Sequence, residues 1–84
     1  MKRLVLTYHA GLKIRQRELE LAWVERTARH PEWTQADPYR PEIERRFGAI
    51  EEFGGRILRV ACVETADTIR VISAVFDRGA RRRR

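Results

Sequence analysis

RILRVACVETADTIRVISAVF, residues 56–76, decides how this chain folds. Its first eight residues are apolar on both parities, with Ile57, Ala61 and Val63 set against Leu58, Val60 and Cys62. A strand covered on both faces has that pattern, so RILRVACV (56–63) is expected at the centre of a sheet. Thr65-Ala66-Asp67 supplies turn chemistry, and TIRVISAVF (68–76) is rich in the β-branched and aromatic residues of a second strand. Upstream, ERRFGAIEEF (44–53) reads as a third strand. Gly54-Gly55 should join it to the central one as a two-residue hairpin, because glycine accepts positive φ at little cost. The C-terminal half is therefore an antiparallel meander.

Outward toward the N-terminus, RLVLTY (3–8) reads as one more strand of the same antiparallel sheet. From His9 to about Gln16, Leu12 and Ile14 among dense charge suggest a short helix. Leu19, Trp23, Val24 and Ala28 then form an apolar stripe on a second helix from about Glu18 to Arg29. One continuous helix over 10–29 is the alternative, and a bend near Arg17 is favoured because charge interrupts the stripe there. His30-Pro31 ends the helix, since a residue before proline avoids helical geometry. Pro31, Pro38 and Pro41 make PEWTQADPYRP (31–41) an irregular connection. The plan is α+β: β-α(α)-β-β-β, with an amphipathic helix packed on the meander.

Eighty-four residues fit one domain, here 1–80, with Arg81–Arg84 as a disordered basic tail. The chain is 43% apolar and 36% charged, which allows only a modest core. No run approaches a membrane span and no leader pattern is present, so a cytoplasmic protein is the expectation. The net charge is +6, of which the tail supplies four, leaving the body near +2. Any anion site must therefore come from local clustering. Arginine outnumbers lysine sixteen to two, and its planar fork suits phosphate and carboxylate.

No Cys/His/carboxylate spacing suggests a metal site, and no glycine-rich loop lies between strand and helix, so neither metal nor cofactor is expected. Cys62, mid-strand among apolar neighbours, reads as a small hydrophobe. Arginine placement is more informative. Lys13, Arg15 and Arg17 lie on the first helix, Arg45, Arg59 and Arg70 one on each meander strand, and Arg78 just beyond. If the strands pair, several converge on one face and could hold a phosphodiester. The plainer reading is a solvated face in which they pair with Glu44, Glu51, Glu52 and Glu64. His9 could pass a proton in metal-free RNA cleavage, a job histidine can do as acid or base, or only brace the strand–helix junction. His30 suits a helix C-terminus.

Thr7-Tyr8-His9-Ala10, the spaced basic residues to Arg17, Leu19 and a helix ending at Pro31 resemble a small bacterial domain family of unknown function. The ending IRVISAVFDRGARRRR resembles the last part of BrnT-type toxins, although Val75 stands where their strand motif has a second basic residue. Both groups look related to the RelE/ParE superfamily of toxin–antitoxin modules. The resemblance implies a compact fold of that type and a metal-free endoribonuclease. In it Arg17 and Arg70 would hold phosphate and His9 would move a proton, with Ser73 at a matching position. The implied partners are RNA and a cognate antitoxin protein, with no membrane, and oligomeric state is left open. The alternative is a non-enzymatic basic module docking on RNA or on an acidic protein.

Overall fold

The computed structural model describes residues 1–82. Three strands form the expected meander: β3 (Glu44–Ile50), β4 (Arg56–Glu64) and β5 (Thr68–Phe76). They are numbered after β1 (Arg3–Leu6) and β2 (Trp33–Ala36), and the sheet order is β1-β5-β4-β3-β2. The doubly apolar strand is central, with β3 and β5 antiparallel on either side. Two helices, α1 (Tyr8–Gln16) and α2 (Leu21–Arg29), complete the α+β fold.

The sheet is mixed rather than wholly antiparallel, because β1 lies parallel to β5. That register sets Leu4 beside Ile69 and Leu6 beside Val71, so the leucines face the side on which the helices lie. The chain then leaves β1 through Thr7, whose N–H donates to the Val71 carbonyl, straight into α1 over β5. Residues 31–41 also differ from expectation. Pro31 and Pro38 flank the strand β2 instead of interrupting it, at a sheet edge where a short strand suffices. The Trp33 ring stacks on Phe47 at 5.0 Å and holds that edge in place. Nor is Gly54-Gly55 a two-residue hairpin. β3 stops at Ile50, Glu51–Phe53 form a 3₁₀ turn, and the glycines take φ of +69° and +73° to re-enter β4.

The bend near Arg17 is real. Glu18 adopts φ +56°, its N–H donates to the Arg15 carbonyl, and the Leu19 N–H donates to Ile14. That is a Schellman ending, and Leu19 drops into the core over Ile14. The core lies between helices and sheet. Ala10, Ile14, Val24 and Ala28 meet Leu58, Val60, Cys62, Val71 and Ala74. Trp23 and Phe76 pack at its margin. Among the described residues no helix packs on the opposite face of the sheet, which carries the alternate strand residues.

Candidate nucleic-acid interface

Cross-strand partners point to the same side of a sheet, so the register tells which basic residues share a face. One row holds Arg70 between Val5 and Val63, the next Arg45 and Ser73 either side of Ala61, and the third Arg59 between Phe47 and Val75. Rows two residues apart on β4 are spaced about 7 Å. Arg45, Arg59 and Arg70, which could converge if the strands pair, thus share the helix-free face, with Ser73 beside them. Two of its cations are already neutralised. Arg45 lies 3.3 Å from Asp37 and Arg59 2.9 Å from Asp77. Asp37 stays below its ordinary range because Tyr39 N–H donates to it, with Arg40 N–H and Arg45 adding to the effect. Arg70 is exposed and has no carboxylate partner among the described residues.

The helix-borne residues lie elsewhere. His9 is exposed in the first turn of α1 and Arg17 caps its far end, about 12 Å away along the axis. The structure therefore does not bring His9 and Arg17 to one point. The junction beside His9 is capped by Thr7, whose Oγ1 accepts from Ala10 N–H at 3.1 Å. The imidazole makes no hydrogen bond among the described residues. Lys13 and Arg15 lie along the same helix and also lack carboxylate partners among the described residues. His30 caps the C-terminus of α2, as its position in the sequence suggested.

Arg17 and Arg78 do come together, and they do so with a residue that the sequence reading did not single out. With Arg56 they surround an open cavity of about 350 Å³, lined also by Glu18, Trp23, Phe53 and Phe76. The Arg56 guanidinium carbon lies 5.1 Å from the Phe53 ring centre and 4.6 Å from that of Phe76. Phe53 is 5.6 Å from Trp23 and 5.1 Å from Phe76. Arg17 donates to the Ala74 carbonyl at 3.0 Å, which draws it over the end of β5. The available signal was the strand register. Phe76 pairs with Leu58, two residues beyond Arg56, so ring and cation become diagonal neighbours only once β4 and β5 are aligned.

Ion pairing sorts the remaining charges. Among the described residues, nine of the twelve carboxylates sit in salt bridges, leaving Glu18, Glu20 and Asp67. Against them, Arg3, Lys13, Arg15, Arg17, Arg56, Arg70, Arg78 and Arg81 have no such partner among the described residues. The tail was expected to be free, yet Arg82 donates to Glu32 at 2.6 Å and reaches Glu51 at 3.1 Å. Glu32 is held below its usual range by that arginine, and Ala49 N–H adds to the effect. The rest of that expectation, Arg83 and Arg84, lies outside the described residues.

Among the described residues no cluster of three or more His, Cys, Asp or Glu is placed to hold a metal ion. No helix among them is long and apolar enough to cross a membrane. Cys62 is fully buried, and burial raises its thiol above the ordinary value, which disfavours the thiolate a nucleophile needs.

Residues 6–76 match the family described as "Domain of unknown function (DUF4258)". No curated protein and no solved structure matches the chain. The likeness to BrnT- and RelE/ParE-type toxins therefore rests on the short motifs alone.

Proposed function

The chain belongs to the DUF4258 family, and on that premise we propose that it is an RNA-binding domain. The observation that carries this reading is the uneven fate of its charges. Nine of the twelve carboxylates are spent on internal salt bridges, while eight cations stay without an acidic partner among the described residues. A polyanion gains from such a surface because each phosphate neutralised releases condensed counterions. An acidic protein would be attracted too, but rings beside Arg56 and beside Arg45 add stacking surface that suits unpaired bases.

The test is anisotropy of a labelled twelve-nucleotide single-stranded RNA at 50 and 200 mM salt. Log K should fall with log salt at about −0.7 per phosphate contact, several contacts in all. No binding at 50 mM salt would overturn the reading.

A second reading is cleavage of the bound strand, as in the toxins that the motifs resemble, held in check by an antitoxin. One observation favours it. His9 is exposed and carries no structural hydrogen bond, so its imidazole is free to move a proton, and Thr7 already does the capping. His9→Gln should then lower cleavage about 10²–10⁴-fold while RNA binding and melting temperature hold. Intact RNA after incubation with the unmutated protein would remove this second reading and leave the binding one.

A further inference from the structure

Arg17, Arg56 and Arg78 come from three segments far apart in sequence, yet they ring one cavity. Arg56 uses its flat faces on Phe53 and Phe76, which leaves the N–H groups along its edge free to donate. Only one donor of Arg17 is taken, by Ala74 O. Arg78 is exposed just beyond β5. None of the three has a carboxylate within salt-bridge distance among the described residues, and Glu18 at the rim is the acid that lines the cavity. Three unneutralised guanidinium groups suit a phosphate, whose several oxygens can each accept from a different donor, better than a carboxylate.

The aromatic lining adds a second requirement on the ligand. Trp23, Phe53 and Phe76 form one connected ring cluster, and Phe53 is 43% exposed although apolar. An inorganic anion would leave those rings unused. The volume lies at the lower end of the roughly 300–1,000 Å³ of small-molecule sites, which suits a single planar ring system with its phosphate. We infer that this cavity binds one nucleotide unit, its phosphate on Arg17, Arg56 and Arg78 and its base against Trp23 and Phe53. The inference deepens the RNA reading and rests on it for the source of the nucleotide, a strand rather than a free mononucleotide.

Trp33→Phe leaves Trp23 as the sole tryptophan and makes its fluorescence a reporter of the cavity. Adenosine 5′-monophosphate should quench it saturably, with adenosine and inorganic phosphate each binding at least about tenfold more weakly. In that background Arg56→Gln and Arg78→Ala should each weaken the nucleotide about tenfold or more. Arg78 is exposed in the segment after β5, so its variant keeps the fold even if Arg56→Gln does not. A hexaribonucleotide should displace the mononucleotide. If the hexamer binds but the mononucleotide does not quench Trp23, the cavity assignment is overturned and the RNA reading stands. Quenching that both variants leave unchanged overturns it as well. Quenching by the mononucleotide with no hexamer binding keeps the cavity, makes free nucleotides its source and removes the RNA reading.

Discussion

Arg46 is the arginine whose charge is committed to the fold. It is 8% exposed, and it donates to the Ala28 carbonyl at the end of α2, to Glu44 and to Glu64. Replacing it with Met removes the donor for a helix-end carbonyl, leaves Glu44 unpaired and leaves Glu64 with Lys2 alone. Arg46→Met should therefore cost about 1–3 kcal/mol, read as a fall in melting temperature of roughly 4–8 °C per kcal/mol. Glu64 is also bonded by Lys2 at 2.6 Å, and Lys2 first, then Arg46, lowers its pKa from 4.5 to about 2. A depressed carboxyl stabilises the fold above its unfolded pKa and loses that contribution as pH falls toward the folded value. Stability should thus decline between about pH 4.5 and 2, and Glu64→Gln should flatten that decline in melting curves taken across the range. Neither role is written in the sequence, where Arg45 and Arg46 stand side by side. They differ because adjacent strand residues face opposite sides of the sheet, one toward α2 and one toward Asp37.

At the scale of the element, the link between the helices shows what charge patterning can and cannot reveal. Interruption of the apolar stripe placed the bend near Arg17. It did not show that Glu18 would be the residue forced to φ +56°. A non-glycine residue there costs about 1 kcal/mol through its Cβ. Glu18→Gly should consequently raise the melting temperature by roughly 4–8 °C with the helices unchanged by circular dichroism. A lower melting temperature would mean that the Glu18 side chain makes a contribution larger than its backbone strain. The missed strand β2 belongs to this scale too. Prolines are local punctuation, but whether four residues between them pair with an edge depends on Trp33 finding Phe47, fourteen positions away.

For the whole molecule the decisive quantity is the partition of charge between internal pairs and free cations. Arg70→Ala and Arg15→Ala remove exposed, unpaired charges. Each should reduce the salt slope of RNA binding by about 0.7 and change stability by no more than about 0.5 kcal/mol. Arg40→Ala removes a cation already bound to Glu42, 3.0 Å away, and should leave the slope unchanged. Equal effects from all three would show that pairing does not govern the interface. The sequence by itself determined the meander, the central place of residues 56–64, the two helices and the burial of Cys62, because alternation, apolar runs and turn residues act over a few neighbours. It also placed Arg45, Arg59 and Arg70 on successive strands, but their common face depends on the register shift between Ala61 and Cys62, which turns Arg70 to the side of Arg59. Only the tertiary structure decided that β1 runs parallel to β5, that Arg45 and Arg59 are neutralised while Arg70 is not, and that Arg56 meets Arg17 and Arg78 over aromatic rings. Those outcomes depend on which residues distant in the chain come within a few ångströms, and register, crossover direction and ion-pair choice are settled by the packing of all the elements together.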